Sequence, residues 1–166
     1  GEHVPSCSMQ DCLSYHTSQE DLRGAERYFC GGCGGGTEAT KHTELALLPD
    51  VLCLHLKRFQ WAHKGRAKLE ARVAFPLEGL DMSPYAKGGE GELTYDLAAV
   101  VVHHGKNAGS GHYTAYGWSM EAGGWMEFND DTVQRIPREV VESSAGYLFF
   151  YIRRKPGEVS LYATRP

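Results

Sequence analysis

Ten residues limit what this chain can fold into more than any others. Tyr95-Asp96-Leu97-Ala98-Ala99-Val100-Val101-Val102-His103-His104 is aromatic and β-branched, and apolar at successive positions through its middle. Such a run suits a strand whose two faces are both covered, so 95–104 is predicted to lie centrally in a sheet. Around it fall further strand patterns: 41–47, 51–59 (apolar on both faces at its start and so buried), 69–75 stopped by Pro76, 112–118, 124–129, 133–136 and a buried closing strand at 147–151. Helical signals are few. Met9, Cys12, Leu13 and His16 share one helical face with Ser8 as a cap, Thr17–Leu22 reads as a second short turn ended by Gly24, and 77–85 holds a helical turn. Pro137–Val141 suits a helix with proline in its first turn.

The remaining segments are connections. Gln60–Lys68 is basic and polar, an exposed hairpin connection. Ala86–Glu92 and Gly105–Gly111 are glycine-rich turns, and the residues beyond Arg153 read as a polar tail.

At 166 residues, 42% hydrophobic and 23% charged, the chain has room for one domain with a real core. A net charge of −4 argues against a nucleic-acid binder and against a basic membrane-surface segment. No apolar run approaches the ~20 residues of a membrane span, and no signal peptide is visible; the chain opens on Gly1 rather than Met, so an upstream segment is expected. Five cysteines, two of them in a CxxC, suit a reduced intracellular protein better than a disulfide framework.

Two constellations carry chemistry. Gly109-Ser110-Gly111 runs into His112 and the aromatic strand Tyr113-Thr114-Ala115-Tyr116; Phe128-Asn129-Asp130-Asp131 follows one hairpin later. If Trp118 pairs with Trp125, Asn129 falls opposite Thr114 and is a diagonal neighbour of His112 on the same face. A tighter register places them directly opposite, and a one-residue slip exchanges Asn129 for Asp130. An imidazole with a polar partner on one nitrogen can take a proton on the other; the same geometry also fits a polar hairpin with an incidental histidine. His103 and His104 compete for the role but stand at the end of the buried strand. His55 reads as a hydrogen-bonded core residue. The second constellation is Tyr28-Phe29-Cys30-Gly31-Gly32-Cys33-Gly34-Gly35-Gly36. Two thiolates two residues apart form half of a tetrahedral metal site, or simply two free thiols on a glycine-rich turn. Cys7 and Cys12 could complete four ligands, although Cys12 on the apolar side of a helix also suits a buried free thiol.

These motifs together resemble the ubiquitin-specific proteases, cysteine proteases that cut after the C-terminal glycine of ubiquitin. The resemblance runs from about Ser6 to Tyr151 through Ser8-Met9-Gln10-Asp11-Cys12-Leu13, the Tyr28–Cys33 knuckle, Leu48–Phe59, Phe75-Pro76-Leu77, Tyr95-Asp96-Leu97, Gly111–Tyr116, Trp125–Asp130 and Tyr147–Tyr151. Among its members it looks closest to the nuclear, histone-directed ones. The resemblance implies an α+β, papain-like cysteine protease fold, with a mostly antiparallel β-sheet palm at about 46–152, part of the fingers at about 25–45, and a tail at 155–166. It implies His112 as general base, Asn129 as the orienting third member and Asp130 as a supporting polar residue. Gly109, Ser110, Gly111 and Tyr113 belong to the loop over ubiquitin's tail, and 85–95 to another such loop. Cys30 and Cys33 match one ligand pair of a structural Zn2+ site, which makes closure by Cys7 and Cys12 unnecessary.

One departure matters. The family's nucleophilic cysteine lies in a box close to Gly-Asn-Thr-Cys-Tyr, and no such box occurs in these residues. Cys7, Cys12 and Cys53 lack that context, and the first zinc cysteine pair is missing as well. The expectation is therefore the C-terminal portion of a catalytic domain, without its thumb and inactive alone. It would work with the N-terminal half on ubiquitin and ubiquitinated proteins, in the nucleus or cytoplasm, with no membrane or nucleic-acid role. A catalytically inactive ubiquitin-binding module and a zinc-ribbon interaction domain are the alternatives.

Overall fold

The structure, a computed structural model, describes residues 7–62, 65–88, 93–107 and 110–163. The chain passes from β1 (Cys7–Ser8) directly into α1 (Met9–Thr17). Ser8 caps the helix as its sequence predicts. Its Oγ accepts from Asp11 N at 3.1 Å, while Asp11 Oδ2 accepts from Ser8 N at 2.7 Å. This reciprocal box satisfies N–H groups that a helix start otherwise leaves unpaired.

Thr17–Leu22 does not form a second helical turn. Ser18 closes α1, and Glu20–Leu22 becomes β2. A 3-10 turn at Gly24–Glu26 precedes β3 (Tyr28–Cys30) and β4 (Gly35–Thr37), which flank the glycine-rich knuckle. β5 (Ala39–Lys41) then returns to pair with β2. The alternation at 41–47 yields no strand beyond Lys41, because β2 offers no further partner; only a bridge from Leu45 to Ala86 follows.

Next come β6 (Val51–His55), the hairpin of β7 (Phe59–Ala62) and β8 (Gly65–Lys68), β9 (Val73–Ala74), which runs parallel to β1, and β10 (Leu80–Asp81). The strand expected over 69–75 is thus confined to two residues. Ser83–Tyr85 forms a 3-10 turn. The expected loop at 86–92 is described only to Gly88; the rest lies outside the described residues. The chain continues through β11 (Thr94–Asn107), β12 (Ser110–Ser119), β13 (Gly124–Asn129), β14 (Thr132–Ile136), α2 (Arg138–Glu142) and β15 (Gly146–Arg153). Pro137 caps α2 from outside rather than occupying its first turn.

Seven strands make one antiparallel sheet in the order β14-β13-β12-β11-β15-β6, with β10 also on β11. β11 is central, as expected: it pairs with β12 on one side and β15 on the other. Its doubly apolar middle has a specific cause. A register shift against β15 between Leu97 and Ala99 moves the core-facing positions from Tyr95 and Leu97 to Val100 and Val102. A bulge inserts one residue and so switches which face a side chain takes. Tyr95, Leu97, Val100, Val102, Tyr116, Trp125, Phe149 and Tyr151 join Met9, Leu13 and Val141 in one core.

Two expectations are corrected. β6 ends the sheet, and only one of its faces is covered: Leu52 is buried, while Val51 is 57% exposed and Cys53 and His55 are exposed too. His55 is accordingly not a buried core histidine; its ring lies edge-on to Tyr147 at 4.7 Å. Residues 154–163 are not a free tail. Arg154 donates to both oxygens of Asp96 at 2.7 and 2.8 Å, Leu161 N donates to Asp96 Oδ2 at 2.8 Å, and the Tyr162 ring packs edge-on to Trp118 at 4.7 Å. Tyr162 Oη donates to the Leu77 and Leu97 carbonyls. A single buried carboxylate thus gathers this segment onto the sheet. Burial pushes Asp96 up, but Arg154 and the N–H groups of Leu161 and Gly79 outweigh it and hold the carboxyl below its ordinary range.

Candidate active site

The pairing of β12 with β13 sets the site. Trp118 lies opposite Trp125 and Ala115 opposite Phe128, the first of the two registers considered from the sequence. His112 and Asn129 are therefore diagonal neighbours on one face, and their side chains meet: His112 Nε2 lies 2.6 Å from Asn129 Oδ1. A carboxamide oxygen only accepts, so Nε2 carries the proton and Nδ1 is left as the basic nitrogen. Both residues are exposed, open to a reacting group approaching from outside the sheet.

Asp130 follows at the first position of the two-residue turn between β13 and β14, with φ of 50°. Asparagine and aspartate tolerate this left-handed conformation better than most residues. Its side chain is exposed. His104 stands opposite His112 on β11, with ring centroids 6.5 Å apart, and its Nε2 is engaged with Thr114 Oγ1 at 2.8 Å. Cys7 and Cys12 lie at the start of α1, and Cys53 lies on β6, three strands away from β12.

The backbone just before His112 is held by residues that sequence reasoning passed over. β11 bulges between His104 and Asn107, a feature that takes groups out of the ladder. Lys68, with a side chain only 7% exposed, donates from Nζ to the carbonyls of His103 at 2.8 Å and Gly105 at 3.2 Å. Behind the bulge, His103 is 3% exposed, with its ring against Tyr113 at 4.7 Å and Phe59 at 5.3 Å. Burial, with Lys68 and His104 adding to it, pushes the His103 imidazole below its ordinary value and keeps it neutral. Gly111 has to be glycine here: a Cβ would collide with His103 Nε2 and lie 2.6 Å from the His104 carbonyl oxygen. Sequence alone offered two hints of this, the His103-His104 pair ending the strand and Lys68 closing a basic, polar hairpin.

Tyr113 points to the opposite side of β12 from His112 and is 49% exposed. With His55, Phe59, His103 and Tyr147 it forms a ring cluster at that end of the sheet, with neighbouring centroids 4.7–6.3 Å apart. Ser110 starts β12 opposite Asn107. Gly109 lies outside the described residues.

The knuckle fits one half of a metal site. β3 and β4 bring Cys30 and Cys33 to a turn closed by Gly34 N donating to Cys30 O at 2.9 Å. The Cys33 backbone N–H, then the Cys33 side chain and the Gly32 N–H, draw the Cys30 thiol below its ordinary value, the polarity a metal-bound thiolate requires. Among the described residues, no group of three or more His, Cys, Asp or Glu gathers to hold an ion.

The mostly antiparallel sheet with few helices matches the fold of a papain-like cysteine-protease catalytic domain. The family model described as ubiquitin carboxyl-terminal hydrolase matches residues 4–151, and the chain belongs to that family. It is 45% identical over 158 residues to ubiquitin carboxyl-terminal hydrolase 3 of mouse and of human, a match covering 93% of this chain and 30% of each relative. Among solved structures it is similar to the SAGA Ubp8/Sgf11/Sus1/Sgf73 DUB module bound to ubiquitin aldehyde, with 32% identity, TM-score 0.76, 90% of this chain covered and 34% of that one. A Ubp8 variant in the same module, bound to monoubiquitin, matches at 33% identity and TM-score 0.76 over 90% of this chain and 33% of that one. The chain thus spans about a third of the length of the relatives it matches. Among the described residues no helix is long and apolar enough to cross a membrane.

Proposed function

We propose that this chain is the base-bearing portion of a thiol-dependent deubiquitinase, which hydrolyses the peptide or isopeptide bond after ubiquitin's C-terminal glycine. The contact of His112 Nε2 with Asn129 Oδ1 at 2.6 Å carries the reading. His112 Nδ1 removes the proton from a cysteine thiol supplied by a segment other than these residues. The thiolate attacks the carbonyl carbon, and the imidazolium returns its proton to the departing amine. Water then cleaves the thioester with Nδ1 again as base. Asn129 fixes the ring's rotation and stabilises its charged form, and Asp130 supports that end of the hairpin. Gly109, Ser110, Gly111 and Tyr113 bind ubiquitin's C-terminal tail, with the ring cluster behind Tyr113 offering an apolar wall.

Zn2+ is a structural partner in this reading. Cys30 and Cys33 supply two thiolates and the N-terminal half of the catalytic domain supplies the others, so the ion cross-links the fingers and takes no part in hydrolysis. Ubiquitin and ubiquitinated proteins are the binding partners. The similarity to hydrolase 3 and to Ubp8 in its ubiquitin-bound module supports this assignment, and an intracellular location, nuclear or cytoplasmic, accords with it.

The test uses a fluorogenic amide of the ubiquitin C-terminus. These 166 residues alone are expected to be inert. With the cysteine-bearing segment present, His112→Ala should lower turnover by ~10²–10⁴-fold or more. Turnover by the isolated chain that survives replacement of all five cysteines would overturn the thiol mechanism. Ubiquitin binding without labelling by an active-site ubiquitin probe, once the missing segment is supplied, would favour a non-catalytic module.

A further inference from the structure

The start of α1 holds a pair of thiols that the hydrolytic site does not use. Cys7 immediately precedes the cap residue Ser8, and Cys12 is the fourth residue of the helix. In a capping box these two positions face one another, usually as an apolar staple. Here they bring Cys7 Sγ and Cys12 Sγ to 4.0 Å, both sulfurs half-buried. Beside them lies Arg58, 5% exposed, whose Nε and Nη1 donate to the carbonyls of Gly146, Leu69 and Ala71. Its Nη2 is buried and has no hydrogen-bond partner. Burial draws the Arg58 guanidinium below its ordinary value, opposed first by Glu70 and then by Cys7 and Cys12. A buried guanidinium nitrogen with donors to spare is costly unless an anion comes to it. Glu70 is one neighbouring anion, and the Cys7 and Cys12 thiols are two further nearby groups that can ionise.

We propose that Cys7 and Cys12 form a redox-sensitive dithiol, converted reversibly to a disulfide by hydrogen peroxide. In this scheme Cys12, whose thiol is pushed up to about 11 by burial and then by Cys7, is the resolving thiol, and Cys7 is the first nucleophile. It gives its proton to water, and its sulfur attacks one peroxide oxygen. The O–O bond breaks, hydroxide leaves and is protonated, and Cys7 becomes a sulfenic acid. The Cys12 sulfur then attacks the Cys7 sulfur. The S–S bond forms, the S–O bond breaks, and the departing hydroxide leaves as water with the Cys12 proton. In total the two thiols lose two electrons and two protons, and peroxide becomes two waters. The staple geometry makes the second step fast, because the resolving sulfur is already in place.

The experiment treats the full chain with hydrogen peroxide, blocks remaining thiols with N-ethylmaleimide, and maps tryptic peptides without reduction. Residues 1–23 form one peptide holding Cys7 and Cys12 and no other cysteine, while Cys30 and Cys33 fall in another and Cys53 in a third. The expected result is a 1–23 peptide lighter by two hydrogens and carrying no maleimide, at a peroxide dose that leaves Cys53 alkylated, with both labels restored after dithiothreitol. In Cys12→Ser, the Cys7 sulfenic acid should persist and be trapped by dimedone. The proposal is overturned if the 1–23 peptide keeps two maleimides while Cys53 oxidises. It is equally overturned if Cys7 goes to sulfinic acid with Cys12 still a thiol. Neither outcome depends on deubiquitinase activity.

Discussion

Replacing Gly111 by alanine adds one methyl group directly before the candidate base. That methyl would meet His103 Nε2, and would lie 2.8 Å from His103 Cε1 and 2.6 Å from the carbonyl oxygen of His104, where ordinary contact begins at 3.4 Å. The imidazole is wedged between Phe59 and Tyr113 and cannot swing away freely. The carbonyl belongs to the β11 residue paired with His112. Strand β12 must therefore retreat by ~1 Å at the residue before His112. Overpacking of this kind costs ~1–3 kcal/mol, and at ~2–4 °C per kcal/mol the melting temperature should fall by about 2–12 °C. A base displaced by ~1 Å loses ~10²-fold in rate, so turnover of a ubiquitin C-terminal amide by the assembled catalytic domain should fall far more than stability. Gly123→Ala is the control: it lies in the turn between β12 and β13, has φ of 56°, and its added methyl meets nothing within 4 Å. It should cost stability through backbone strain and leave turnover alone. If Gly111→Ala matches Gly123→Ala in both measurements, the argument that His103 sets the backbone path to His112 is wrong.

Three further outcomes are expected. Asn129→Ala leaves the imidazole in place but removes a hydrogen bond that becomes charge-assisted when the ring protonates, worth ~1.5–3 kcal/mol; kcat should drop by about 10- to 150-fold, less than for His112→Ala, and an unchanged kcat would remove Asn129 from the site. Asp96→Asn should cost ~3 kcal/mol at neutral pH by removing the buried carboxylate's ion pair with Arg154, and chemical denaturation reads this directly. Because the folded carboxyl lies below its unfolded value, its contribution is present above the unfolded value near ~4 and is lost as pH falls through the folded one. The variant's acid limb should therefore be shallower than the parent's, and parallel limbs would refute the linkage. Zinc content, read by metal analysis, should be about one per catalytic domain when the N-terminal half is present, weak or absent in this chain alone, and lost in Cys30→Ser/Cys33→Ser.

What the sequence determined by itself is the local pattern and the order of the motifs. The run Tyr95–His104 marks β11, Ser8 announces the start of α1, and pairing Trp118 with Trp125 puts Asn129 on the face of His112, although a one-residue slip would have exchanged it for Asp130 and the tertiary structure made the choice. Each of these depends on neighbours a few residues apart or on one short hairpin, and side-chain periodicity reports such relations faithfully. The tertiary structure decided the rest, because it depends on partners far along the chain. Nothing within 51–59 says that β6 ends the sheet, so Val51 and Cys53 looked buried and His55 looked like core. The polar composition after Arg153 suggested a tail, since the carboxylate that gathers it, Asp96, lies 58 positions before Arg154. Lys68 reaches the His103 and Gly105 carbonyls across 35 and 37 positions. The bulge in β11 that creates its acceptors leaves no mark in the composition. Arg58 beside Cys7 and Cys12 is a meeting of the same kind. Periodicity places a side chain on a face, but what covers that face is decided by packing between segments that no local pattern records.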